Sequence, residues 1–511
     1  MQKLKKGVPL PVLGIDTAGP ADYLDPRSTP DSLNMEIYRN TIRKRIGTAA
    51  LGSSLSERVM AIRQLQIGTF IYLVRTGLTK VEVLNQTTST WSSIANAPLT
   101  GAIGDRFDFA FPNISGSKVM VFTNGYDNIR KFTGSGNDAN LGGSPPKAKF
   151  CMAYGSYLVL ANIIDGGDNF YTRVQWSDTG DPETWTGGNT GSVDLLEDDQ
   201  DITGLGVFAD YITVHKDGAI YIGSTVPSSE VFVFNRKSTG VGTVSHNTIQ
   251  NLPTGEQCFL SRQGVHLFNG ITAPLIQSPV MDEMRETMNP EYLYKSWSVL
   301  VRELDEYWVG VPVGDQEEPE TVYKFNYRTG RFYKDSRTGI CAVSSFERTN
   351  QLTWDDKTNT WDSDTTRWND VIYLELSPTI LFGDTSGNTT RRTPIYNDNA
   401  TAISSYWVSK DFTIADISQD EMGRLVRWTA MQVWCKGNAV DIDYSTDEGA
   451  TWTSITTATL SADYPTDSAP LYAYFDVVSS QIRFRFSNDT AGESFTLKKF
   501  IIEAIPREMR H

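Results

Sequence analysis

Six times in succession the chain repeats one unit, an apolar run, a glycine-centred turn and a second apolar run. The copies open at Thr69 ("TFIYLVRTGLTKVEVLN"), Lys118, Tyr157, Tyr211, Gln257 and Glu306, so successive starts lie 49, 39, 54, 46 and 49 residues apart. A looser seventh copy, "DVIYLELSPTILFGDTSGNTTRR", opens at Asp370. Each unit has the form of an antiparallel hairpin. Asn124-Gly125, Asp217-Gly218, Gln263-Gly264 and Thr329-Gly330 are suited to the positive-φ positions of tight turns. Strands such as Tyr211–His215 send alternate side chains to opposite faces. A lone hairpin cannot bury both faces, whereas stacked neighbours can. The spacing therefore predicts an all-β chain with a β-propeller over residues 51–400. It has six blades, and a seventh if the Asp370 copy closes the ring.

The two ends depart from this period. The first 50 residues are dotted with prolines and have no sustained pattern, which predicts an extended arm packed on something else. The arm carries eight basic and five acidic residues. Beyond Thr401 the strands lengthen, as in "RLVRWTAMQVWCKG" and "SSQIRFRFSND", and predict a β-sandwich over 401–511. One stretch, "SPVMDEMRETMN", predicts a short helix. Ser278 is the cap, Pro279 the first helical residue, and Val280, Met281, Met284 and Met288 an apolar stripe for packing.

The composition narrows the function classes. Sixty-one carboxylates against 46 Lys and Arg give a net charge of -15, which would repel duplex DNA and argues against a nucleic-acid coat. A surface that DNA merely passes is compatible with it. Cys151, Cys258, Cys341 and Cys435 are too dispersed for a disulfide framework and are expected to be reduced and buried. Four scattered histidines give no metal-ligand spacing. "MQKLKKGVPLPVLGID" has no apolar core of a secretion signal, and no apolar run is long enough to span a bilayer. The expectation is a soluble protein kept in a cytoplasm, with no cofactor and no membrane insertion.

Several motifs invite chemistry. "YSTDEGATWTS" places Ser445, Asp447, Gly449, Thr451 and Trp452 in the Asp-box pattern best known from sialidases. Its carboxylate is suited to closing a turn and its tryptophan to packing over a strand, so a structural fastener is expected. "QWSDTGDPETWTGG" has the same logic, and the alternative is an aromatic shelf for sugar formed by Trp176 and Trp185. "TWDDKTNTWDSDTTRWND" spaces Trp354, Trp361 and Trp368 seven apart among aspartates, and Glu197, Asp198, Asp199 and Asp201 form another acidic cluster. Asp-x-Asp spacing would suit Ca²⁺, but the first of these lacks the glycine and closing glutamate of an EF-hand loop. No nucleophile elbow, phosphate loop or metalloprotease helix is present, and no carboxylate pair stands out as a glycosidase centre. The expectation is a protein without a catalytic site. Arg39, Arg43, Lys44 and Arg45, in "NTIRKRIG", are the candidate contact with DNA phosphates or a ring partner. The bland reading is a solvated strand edge.

In order and style, "DSLNMEIYRNTIRKRIG", "SDTGDPETW", "DITGLGVFADYITVHKDGAIYIG", "YKFNYRTGRFY", "TWDDKTNTWDSDTTRW" and "STDEGATW" make a familiar series. The chain resembles the tail-hub, or nozzle, proteins of short-tailed bacteriophages, also called packaged-DNA stabilisation or head-completion proteins. Asn40 stands where glycine is common in that family's opening motif. The resemblance implies a non-enzymatic structural virion protein of the tail, assembled in the bacterial host cytoplasm. It would form a homo-oligomeric ring, a hexamer, below the portal and adaptor rings. That ring would extend the DNA channel, retain and release packaged double-stranded DNA as it passes, and receive a tail needle, plug or fibre proteins. The competing readings are a glycan-binding module of a receptor-binding apparatus and a sialidase-like glycosidase.

Overall fold

The computed structural model describes residues 4–8, 12–38, 40–68, 70–85, 88–226, 231–346, 378–418 and 425–506. The protein is all-β, built from many small antiparallel sheets. Between residues 61 and 392 seven sheets of three or more described strands follow one another along the chain, and their strands from this range pair in sequence order; a small two-stranded ribbon, Asn113–Ile114 with Ser117–Lys118, is inserted in the second. The first contains Ala61–Ile67, Phe70–Thr76, Val81–Asn85 and Thr90–Ser93; the fourth contains Ile202–Phe208, Tyr211–Lys216, Ala219–Thr225 and Phe232–Thr239. The fifth has three described strands, ending in Gly264–Phe268. The six repeat units seen in the sequence each fall, where described, within one of these sheets; of the copy opening at Asp370 only residues from 378 on are described, and they lie in the seventh sheet. Gly125, Gly264 and Gly330 occupy positive φ at their turns, but Gly218 does not.

Period-two alternation decides which neighbour each side chain meets. Leu158 and Leu160 of the third sheet pack with Val121 and Leu141 of the second. Val159 and Ala161, on the opposite face of the same strand, pack with Leu205 and Val214 of the fourth. The other sheet-to-sheet cores follow in turn, and Leu381 and Ala342 of the seventh sheet share theirs with Ile62 and Leu73 of the first. The helix spans Val280–Thr287, one residue later than the sequence suggests, with Pro279 at the cap position. It buries Val280, Met281 and Met284 between the fifth and sixth sheets.

Two further sheets of six strands come from the C-terminal residues together with the arm. They share one core, in which Trp407, Phe484 and Phe486 from one sheet meet Trp428, Met431 and Phe500 from the other. The arm is woven into these sheets as strands, so its lack of a hydrophobic period reflects short pieces with different partners. Leu4–Val8 lies along Phe495–Pro506, and Met35–Tyr38 and Thr41–Lys44 form a hairpin on the same sheet. Ser32–Leu33 pairs with Ser405–Val408. Thr48–Ala50 then crosses to the seventh of the small sheets and pairs with Thr389–Arg392.

A buried ionic network fixes this crossing. Arg45 reaches Asp398 at 2.6 Å and Asn34 at 2.8 Å. Lys324 lies 2.7 Å from the fully buried Asp335 and donates to the Met35 carbonyl at 2.8 Å. Nearby, Glu306 is 3 % exposed and accepts from the Trp308 indole at 2.6 Å. Burial raises its carboxyl to about 7, against the pull of Lys324. A raised folded-state value means stability that is fully present below the ordinary carboxylate range and is lost as the pH climbs through 7. Between pH 5 and pH 8 the wild type is expected to lose about 2–3 kcal/mol relative to Glu306→Gln. Urea unfolding of both proteins across that range checks this, and parallel pH profiles would refute it.

Candidate functional site

The first strands of several small sheets meet around a central cavity of ≈ 480 Å³. Its wall includes Arg63 of the first sheet, Leu205–Val207 of the fourth, Ser298–Leu300 of the sixth and Val343–Ser345 of the seventh. The short helical turn His246–Thr248 enters from the connection between the fourth and fifth sheets. A second chamber of ≈ 270 Å³ shares His246 and Asn247 and is lined at the leading ends of these strands by Asp105, Arg106, Asp108, Lys149 and Asp201. The two chambers differ in charge. Carboxylates line the second, whereas among the described residues none lines the first, whose charged residues are Arg63 and Arg302.

His246 and Asp108 look like half of a catalytic triad, with Nε2 2.9 Å from the Asp108 carboxylate. The remaining contacts point to positioning. The Leu205 N–H donates to His246 Nδ1 at 3.2 Å, so the ring proton sits on Nε2 and is donated to Asp108. Asp108 also accepts the Phe109 and Cys151 N–H groups at 2.7 and 2.8 Å. Both ring nitrogens and both carboxylate oxygens therefore hold the second, third and fourth sheets together. Neither ring nitrogen has a free lone pair for removing a proton from a substrate.

The arginines are less completely satisfied. Arg63 donates to the carbonyls of Ile62 and Val343 at 2.9 and 3.3 Å and reaches the Asn247 amide oxygen only at 3.5 Å. It forms no ion pair with a carboxylate among the described residues, and burial lowers its pKa, with Asp108 opposing from a distance. Arg106 donates to the Lys295 carbonyl at 3.3 Å, and its Nε is buried without a partner. Burial lowers the Arg106 pKa as well. His215, shut in with Gln257, is pushed down to about 4 by burial.

The residues singled out in the sequence lie elsewhere. In the Asp box, Asp447 accepts from Ser445 Oγ at 2.7 Å, the Thr451 N–H at 2.9 Å and Thr451 Oγ1 at 2.5 Å. These bonds hold its carboxyl down at about 2. Gly449 sits at φ +90° within the turn, and Arg485 lies 4.6 Å over the Trp452 ring. Every polar group of the box serves the hairpin between Ala439–Ser445 and Thr453–Thr459. Asp178 accepts the Thr179 and Asn189 N–H groups at 2.8 Å each, another closed turn. Trp176 and Trp185 are buried in the cores on either side of the third sheet, which corrects the sugar-shelf alternative: neither indole has an open face.

The basic arm needs a similar correction. Lys44 is fully buried on Asn488 and Thr490, and Arg45 is 2 % exposed within its network, so neither is available to DNA or a ring neighbour. Arg43 retains some exposure but pairs with Glu36 at 2.6 Å and covers the Tyr38 ring. Arg39 and the Trp354–Asp370 stretch lie outside the described residues. In the Glu197–Asp201 cluster, Asp198 is held by Lys216 at 2.5 Å and Tyr221 at 2.6 Å, and Glu197 pairs with Arg236 at 3.3 Å. Among the described residues no group of three or more His, Cys, Asp or Glu could hold a metal ion. The four cysteines are free and buried, and no described helix is long and apolar enough to cross a membrane.

Sequence reasoning missed Arg63, Asp108 and Asn247, because each comes from a different unit and carries no local motif. His246 is noticeable in the sequence only as an isolated histidine.

No protein-family model and no curated protein matches the chain. Among solved structures it is similar to BamB from Moraxella catarrhalis, at 11% identity and a TM-score of 0.33, over 66% of this chain and 96% of that one. It is also similar to the Pan2 WD40 domain of Neurospora crassa, at 9% identity and a TM-score of 0.27, over 70% and 88%. The third is an exo-beta-1,3-galactanase from Phanerochaete chrysosporium, solved with galactose, at 10% identity and a TM-score of 0.26, over 89% and 100%. Likeness this remote carries no inference about reaction, ligand or partner.

Proposed function

We propose that the chain is a structural tail protein of a short-tailed bacteriophage virion. Its ring, a homohexamer of the tail-hub or nozzle type, sits below the portal and adaptor and continues the DNA channel. In this reading the seven small sheets are the blades of a closed seven-bladed propeller, sealed by the arm strand Thr48–Ala50, and the two larger sheets are a β-sandwich. The observation that carries the proposal is that the described sequence motifs act as fasteners. Asp447 and Asp178 close turns, and Lys44 and Arg45 bind the arm to the rest of the chain. Such a subunit is suited to a stiff wall. An acidic lining would let DNA slide past with few phosphate contacts.

Purified protein, alone and mixed with a portal–adaptor complex of a short-tailed phage, is expected to give a closed ring by cryo-electron microscopy. The bore of that ring is expected to be acidic or neutral. A protein that remains monomeric with its adaptor, or a strongly basic bore, would end this reading. The arginine-bearing central chamber favours the alternative of a glycan-binding module or sialidase-like glycosidase. Turnover of fluorogenic sialosides, or a specific signal on a glycan array, would decide for it.

A further inference from the structure

The virion reading gives the central chamber no role, and the following inference is independent of it. We infer that the chamber around Arg63 and Arg302 binds a small oxyanion, a phosphate or carboxylate group carried on a small molecule.

Three observations converge. The chamber is ≈ 480 Å³, room for a metabolite-sized ligand but not for a nucleic-acid duplex. Its wall is unusual for this protein: in a chain of net charge -15, no carboxylate among the described residues lines it, whereas two arginines do. Chance would place acids there before bases. Finally, Arg63 is a half-buried cation with no counter-charge within ion-pair distance among the described residues, held by two backbone carbonyls and one long amide contact. A charge partly withdrawn from water and lacking a counter-charge is less well solvated than a free one, and proteins ordinarily pair it. The nearest carboxylate in its field, Asp108, is already engaged by His246 and two backbone N–H groups. A bound oxyanion would supply the missing counter-charge through charge-assisted hydrogen bonds to the guanidinium. Arg302, exposed at the rim, would close on the same group from the open side.

The second chamber sets the polarity. It is lined by Asp105, Asp108 and Asp201 alongside Arg106 and Lys149, so acids outnumber bases there and an anion is favoured on the Arg63 side of His246 and Asn247. The same division gives selectivity by charge: a neutral sugar would leave Arg63 as unpaired as before.

Calorimetry and thermal unfolding of the full chain with inorganic phosphate, glucuronate and glucose, at matched ionic strength in chloride, test this. Saturable binding of phosphate or glucuronate, with a rise in unfolding temperature and no response to glucose, is the expected result. The tighter of the two probes distinguishes a phosphate ester from a sugar acid. Arg302→Ala is expected to weaken binding about tenfold, and Arg63→Gln to remove it. If Arg63→Gln does not fold, Arg302→Ala decides alone, since that side chain lies at the exposed rim. No saturable binding of either anion, a response to glucose equal to theirs, or unchanged affinity in the variants that fold overturns the inference.

Discussion

Asp335→Ala is expected to destabilise the protein by about 3–5 kcal/mol, the cost of breaking a buried ion pair by removing one partner. Asp335 is fully buried, with Lys324 at 2.7 Å, Arg337 at 3.7 Å and Arg45 at 3.8 Å. Removing its charge leaves these three cations facing one another, with Asp398 as the nearest remaining relief for the arginines. Burial already lowers the Arg337 pKa to about 10, with Arg45 adding to the effect. Asp335→Leu combined with Lys324→Met should recover part of the loss, because replacing a buried pair with apolar groups is often close to neutral. Chemical unfolding midpoints measure both proteins. A single variant within about 1 kcal/mol of wild type, the scale of an exposed pair, would show that the junction is wetter than its geometry.

The second large effect is expected at Gly387, in the turn between Thr379–Asp384 and Thr389–Arg392. Its φ is +86°, and a Cβ there would stand 2.0 Å from the Leu55 carbonyl oxygen and 2.6 Å from that of Glu57. The backbone of the 55–57 segment would have to retreat, and it is tied to this turn by the Leu55 N–H to Gly387 carbonyl bond at 2.8 Å. Leu55 also anchors the core shared by the first and seventh sheets. Gly387→Ala is expected to cost about 2–4 kcal/mol, combining left-handed strain with overpacking. Faster hydrogen exchange should be concentrated in the first and seventh sheets, and a uniform rise across the molecule would contradict the assignment of strain to this seam.

Much of the scaffold was legible because its signals are local. Apolar runs and glycine turns are written within each unit of the sequence, and the strands that follow from them are those observed. The Asp box was readable for the same reason, since Ser445, Asp447 and Thr451 bond one another across a few residues. The arm was not readable, because its strands are two to five residues long and several of them find partners hundreds of positions away. Lys44 and Arg45 illustrate the failure. In a basic run the default is a solvated face, yet tertiary partners at Asn488 and Asp398 took both inside. The central chamber was hidden for a related reason: Arg63, Asp108 and His246 belong to separate units, and nothing in any one unit marks them.

The Thr48–Ala50 strand finds its place only beside Thr389–Arg392, more than three hundred residues later. A ribosome will therefore have emitted most of the chain before that seam can form. Until then the nascent sheets make an unsealed spiral whose leading and trailing edges both offer free backbone N–H and C=O groups to other chains. The cooperative step comes last and depends on a contact of very long sequence separation, so slow maturation and early vulnerability to aggregation are built into the order of synthesis.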